Sequence, residues 1–135
     1  MSRRLLIVLG LLALLVPAVV KAEEPFPGVY RSDADDKGVT EEWTITGSPG
    51  YWKIEISLHD KAGKEIGHGH VATATRKGKE HELNFVVEWN TRPEGWPDFP
   101  HCQMVMDETD KDKATFKYQN RRKDFQTGVL HRVKK

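Results

Sequence analysis

From Tyr51 to Trp89 the chain alternates apolar and polar residues through three long segments, YWKIEISLHD, EIGHGHVATATR and EHELNFVVEWN, joined by the short glycine turns KAGK and RKGK. Sustained period-two alternation is the mark of half-buried antiparallel strands, because successive side chains on a strand point to opposite faces. Turns this short leave consecutive strands no choice but to lie side by side. In the first segment Trp52, Ile54, Ile56 and Leu58 share one face, and Lys53, Glu55, Ser57 and His59 the other. In the third, Leu83, Phe85, Val87 and Trp89 oppose Glu82, Asn84, Glu88 and Asn90.

The middle segment carries Ile66, His68, His70, Ala72 and Ala74 on one face and Gly67, Gly69, Val71, Thr73 and Thr75 on the other. Gly63 suits the left-handed position of a three-residue hairpin loop, which pairs Asp60 with Lys64. Ile56 then opposes His68, Ile54 opposes His70, and both histidines point inward. The Arg76-Lys77-Gly78 turn, read by the same rule, pairs Thr75 with Lys79 and turns them outward. A two-residue turn at Lys77-Gly78, or a bulge in Gly67–Gly69, reconciles the two. Thr73 and Thr75 suit a wet face and Ala72 beside Leu83 a dry one, so the expectation is histidines inward.

The flanks extend the meander. Gly28 to Arg31 reads as a short first strand, and Thr40 to Thr46 as a second with Trp43 and Ile45 on one face. His101 to Asp107 places Cys102, Met104 and Met106 together. Ala114, Phe116 and Tyr118 mark a seventh strand. Thr127 to Val133 follows the charged turn RRKDFQ as an eighth. Between them TRPEGWPDFP, residues 91–100, has three prolines and a glycine, which exclude regular structure, yet holds Trp96 and Phe99. No amphipathic helix and no repeat of fixed period emerges. The expected fold is an all-β, eight-stranded antiparallel meander, closed as a barrel so that no strand edge stays exposed. In the SDADDKG loop, Asp33, Asp35 and Gly38 fit part of a calcium-loop pattern. Lys37 and Thr44 occupy ligand positions, so a solvated acidic turn is the better reading.

Residues 1–22 read as a signal peptide: Arg3 and Arg4, the apolar run LLIVLGLLALLVPAVV, and Val20-Lys21-Ala22 at the cleavage point. Residues 23–135 then form one domain in the periplasm or outside the cell. The full chain has 21 basic and 20 acidic side chains. Cleavage removes Arg3, Arg4 and Lys21 and no acid, leaving 18 basic against 20 acidic, a net of −2. No broad positive field remains, which argues against nucleic acid, and the apolar leader is gone, which leaves no membrane partner. A monomer is expected. Cys102 is the single cysteine, so no disulfide can form within the chain and stability must come from core burial. Its thiol is buried and inert, paired with a second chain, or a ligand.

Gly28-x-Tyr30 resembles the G-x-W opening of lipocalin-like (calycin-type) barrels, and Arg132 stands where those proteins keep an arginine over the aromatic ring. Tyrosine replaces tryptophan, and the usual C-terminal helix is missing. The resemblance implies a small apolar molecule held in the cup.

Signatures of catalysis are missing: no G-x-S-x-G, no H-E-x-x-H, no phosphate-cradling glycine loop, no C-x-x-C. Glu41 and Glu42 are neighbours on a strand, face opposite ways and cannot act as a pair. No catalytic residue is assigned. An eight-stranded barrel is just wide enough to be filled by side chains or to hold one small ligand. The leading expectation is a binding protein for a small apolar or aromatic molecule. Its binding residues are Trp43, Trp52, His70, Phe85 and Trp89 inside and Trp96 at the mouth, with no cofactor. One alternative is a copper or haem handler using His68, His70, Cys102 and Met104, whose ligand types suit soft copper. Another is a protein-binding or inhibitor module acting through the loop 91–100.

Overall fold

A computed structural model describes residues 25–48, 51–76 and 81–134. The signal-peptide reading, the second hairpin turn and the side chains of Ala72, Thr73 and Thr75 lie outside the described residues. No helix is found among those described, and nine strands are: β1 (Gly28–Ser32), β2 (Thr40–Thr46), β3 (Trp52–His59), β4 (Glu65–Arg76), β5 (Glu82–Val86), β6 (Glu88–Thr91), β7 (His101–Met106), β8 (Lys113–Asn120) and β9 (Lys123–Arg132). All pairings are antiparallel, in the order β3-β2-β1-β9-β8-β7-β5-β4-β6. A further pairing of β3 with β4 brings the sheet round into a nearly closed all-β barrel.

The ninth strand comes from dividing the fifth. The expected strand through Leu83, Phe85, Val87 and Trp89 breaks at Val87, whose amide donates to Pro100 O at 3.0 Å instead of to β4. Alternation survives the break: Leu83, Phe85 and Val87 are buried and Val86 and Glu88 exposed, with Asn84, also buried, out of step. The last strand also starts earlier than the charge run suggests. Arg121 and Arg122 sit at φ 51° and 69°, the two positive values of a two-residue hairpin turn, and Asn120 pairs directly with Lys123.

The histidine strand reverses the expectation. Asp60 N does donate to Lys64 O at 2.9 Å and Gly63 has φ +84°, as the hairpin rule requires. A register shift then follows at once, between Leu58 opposite Gly67 and His59 opposite Glu65. One extra residue flips the strand. Ile56 therefore opposes Gly69 and Ile54 opposes Val71, while His68 and His70 stand beside Ser57 and Glu55 on the outer face. Packing supplies the reason. A Cβ on Gly69 would meet Val87 at 2.6 Å and Trp89 at 2.8 Å, and one on Gly67 would run into Pro93. The glycines face inward because the side chains on and around the neighbouring β6 need their space. A second shift, between Val71 and Ala74, returns Ala74 to the core.

Aromatic rings fill the interior in layers. At the end where β1 begins, Phe26 caps Trp52 edge-on at 5.7 Å. Midway, Trp43 packs on Phe85 at 5.7 Å and Phe116 at 5.4 Å. Arg132 secures the Phe26 end. Its guanidinium lies 4.8 Å above the Tyr30 ring, donates to Pro27 O and to Pro25 O, and pairs with Asp112 at 3.2 Å. Tyr30 OH donates to Phe26 O at 2.8 Å. Burial, partly offset by Arg132, pushes its phenol up to about 12. Gly28, at φ +145°, is the residue that lets Arg132 in, because any Cβ there would collide with the guanidinium.

Candidate binding site at the Trp96 mouth

The opposite end of the barrel is where β6 leaves for the proline-rich loop. That loop folds back over the opening. Trp96 N donates to Pro93 O at 3.2 Å, Arg92 Nη1 to Trp96 O at 2.7 Å, and Trp89 Nε1 to Pro97 O at 2.9 Å. The Trp96 indole drops among three rings, each edge-to-face: Tyr118 at 4.9 Å, Phe125 at 5.2 Å and Trp89 at 5.7 Å. Such contacts are the favoured aromatic geometry, yet each ring stays a separate surface that another flat molecule can meet. A cleft of about 540 Å3 opens beside Trp96, with Val39, Ile66 and Pro93 as apolar walls and a polar rim that carries both signs of charge, Asp35, Lys37 and Arg92 among them. That volume suits a small ligand.

Beneath the rings lies a buried carboxyl group. Glu41 is 2 % exposed. Its Oε1 accepts from Tyr118 OH at 2.6 Å and from Trp43 Nε1 at 3.0 Å, while Oε2 has no partner. Burial raises the carboxyl to about 7 from the ordinary 4.5, against the lowering pull of the Tyr118 and Trp43 hydrogen bonds. Sequence reasoning missed it, although the signal was there: residues 41, 43 and 45 share one strand face, and Trp43 and Ile45 were already placed inside.

Of the residues expected to bind a guest, Trp43, Phe85, Trp89 and Trp96 lie in or over this half of the barrel, and Tyr118 and Phe125 join them. Trp52 belongs to the other end, under Phe26. His70 is on the outer wall, its Nδ1 2.9 Å from Asn90 Oδ1 and its Nε2 3.3 Å from Glu88, so it cannot orient a guest inside. His68 stands beside it, 2.7 Å from Glu55 and 3.2 Å from Glu65. Burial pulls its pKa down, but the hydrogen bonds to Glu55 and Glu65 outweigh that and hold it above 6.5.

The expected metal set is likewise divided. Cys102 and Met104 are fully buried on β7, His68 and His70 face solvent on β4, and β5 runs between those strands. Among the described residues no group of three or more His, Cys, Asp or Glu is placed to hold a metal ion. The Cys102 thiol is pushed well up by burial and by the nearby Glu41. In the partial calcium pattern, Asp35 Oδ1 caps its own turn, accepting from Lys37 N and Val39 N at 2.9 Å each. Asp33 pairs with His131 at 3.2 Å instead. In the proline-rich loop Phe99 is exposed, but Trp96 is turned inward rather than offered to a partner.

Comparison with protein-family models, curated proteins and solved structures gives no match to this chain.

Proposed function

We propose that the chain is an exported, non-catalytic binding barrel that takes a small aromatic or apolar molecule at the Trp96 mouth. The observation that carries this reading is the seating of Trp96. A loop side chain, not a strand residue, occupies a slot walled by Trp89, Tyr118 and Phe125, next to a cleft of ligand size. The loop is closed mainly by its own short-range hydrogen bonds, so Trp96 can swing out without breaking a strand ladder. A guest would replace one ring with another and leave the deeper Trp43 layer intact. Arg132 over Tyr30 at the sealed end supports a cup with one mouth, as the resemblance to lipocalin-like barrels implies.

The test is fluorescence titration with flat hydrophobic probes. Saturable quenching or shift of tryptophan emission, weakened at least tenfold or lost in Trp89→Ala, supports the reading. An emission spectrum unmoved by every probe would mean that Trp96 is simply the last piece of a solid core.

A further inference from the structure

A carboxyl group with no cation beside it is an unusual thing to keep inside a barrel. Desolvation penalises its charge, and a methyl-bearing side chain would fill the space better. Glu41 is kept there in a specific posture. Donors from two different strands, Trp43 Nε1 on β2 and Tyr118 OH on β8, converge on the same oxygen and fix the carboxyl plane. The second oxygen is left bare in the interior.

We propose that Glu41 Oε2 receives the N–H of an amine-bearing guest seated beneath Trp96. The inference rests on the binding reading above and narrows it to organic amines with a flat apolar body. Trp43 and Tyr118 turn their N–H and O–H edges to the carboxyl, and Trp96 packs edge-on against Tyr118, so the flat apolar body of a guest would lie among aromatic rings while its N–H reaches the carboxylate. Asp35 lines the mouth cleft beside Trp96, and its charge acts on Glu41. The cleft itself carries charges of both signs, Lys37, Lys64 and Arg92 among them, so selection for the amine falls to Glu41. Among the described residues none supplies a positive charge at Oε2, which has no hydrogen-bond partner.

The titratable groups around Glu41 fit this use. Tyr118 from β8 and Cys102 from β7 are both buried and held in their neutral forms, so they do not compete as anions. Asp35, from the loop after β1, is held below the ordinary carboxylate range. Burial would raise it, but the bonds from Val39, Gln126 and Lys37 outweigh that. Glu41 alone lies near neutrality, so an arriving ammonium can displace its proton. Amine affinity then falls as pH drops through about 7, while the affinity of a neutral guest does not.

The experiment compares naphthalene with 1-naphthylmethylamine, one ring system with and without the amine, by calorimetry on the purified protein and on Glu41→Gln. The inference expects the amine to bind at least about tenfold tighter, the worth of one charge-assisted hydrogen bond, and Glu41→Gln to remove that advantage. Should Glu41→Gln fail to fold, carboxyl NMR on the unaltered protein gives the second reading: saturation with the amine should lower the Glu41 pKa. If both compounds bind alike and that pKa stays put, the amine assignment is wrong and the binding reading survives. If neither compound binds, the binding reading fails and takes the inference with it.

Discussion

Trp96 meets Tyr118 edge-on at 4.9 Å, and Tyr118 holds Glu41 at 2.6 Å, so one loop indole stands two contacts away from a buried acid. Anything that lifts the indole uncovers the phenol ring and shortens the path from solvent to the carboxyl group.

Trp96→Ala tests that relationship. The ring is half-buried, so its loss should cost less than a core tryptophan, about 2 kcal/mol against the 3–5 of a fully buried one. The slot it leaves is walled by Trp89, Tyr118 and Phe125. Denaturant melts should show the modest loss, and a neutral environment-sensitive naphthalene dye should bind the variant more tightly than the parent. A variant that melts like the parent and takes up no dye would place Trp96 outside the account.

Glu41 makes stability depend on pH. Its carboxyl titrates near 7 in the folded chain and near 4.5 when unperturbed. Between those values the folded protein holds a proton that the unfolded chain has released. Stability therefore falls as pH rises through that window and is lowest above 7. The size is on the order of 3 kcal/mol at 1.36 per pKa unit. Urea unfolding at pH 5 and pH 8 should show the loss in the parent and a much smaller one in Glu41→Gln. Equal slopes in both proteins would contradict it.

Gly28 and Arg132 form one device at the sealed end. A side chain at position 28 would push the guanidinium off Tyr30 and away from the carbonyls of Pro25 and Pro27. Gly28→Ala should cost about 2–4 kcal/mol, from backbone strain plus lost charge-assisted bonds, and Arg132→Ala a similar amount. The double variant should be little worse than either alone, because both break the same contact. Additive losses would show that the two act separately.

The β8–β9 turn is an opportunity to stabilise. Arg121 and Arg122 both adopt positive φ, where a Cβ is unwelcome. Replacing the pair by Asn-Gly should raise stability by about 1 kcal/mol or more, read as a higher melting temperature. A lower one would mean that the arginine side chains themselves hold the turn.

Cys102 should be silent. It is fully buried and its thiol is pushed well above its ordinary range. An aromatic disulfide reagent should label it only as fast as the barrel unfolds, in step with the denaturation curve. Rapid labelling of the native protein would reopen a ligand or pairing role.

The strands were legible because alternation is a local signal, and Trp52-to-Leu58 or Cys102-to-Met106 could face inward in only one parity. The histidine face was not. It turns on a one-residue bulge just past a correctly read hairpin, and bulges leave no mark that sequence alternation can weigh. The mark that did exist was steric. Gly67 and Gly69 had to yield to Pro93, Val87 and Trp89, which come from a strand and loop some twenty residues on. The split at Val87 and the Arg-Arg turn were hidden for similar reasons, one set by a contact with Pro100 and the other by a conformation arginine seldom takes. Glu41 was readable and was passed over, since its parity was used to separate it from Glu42 and not to place it inside. Trp96 was expected at the mouth, but which rings would receive it depended on barrel closure.

The most direct test follows the four tryptophan indole N–H signals by NMR during titration with 1-naphthylmethylamine. Trp96, Trp89 and Trp43 should shift together and saturate, while Trp52, capped by Phe26 at the far end, stays where it was. Four unmoved signals, or a Trp52 shift as large as the others, would contradict a guest site under Trp96.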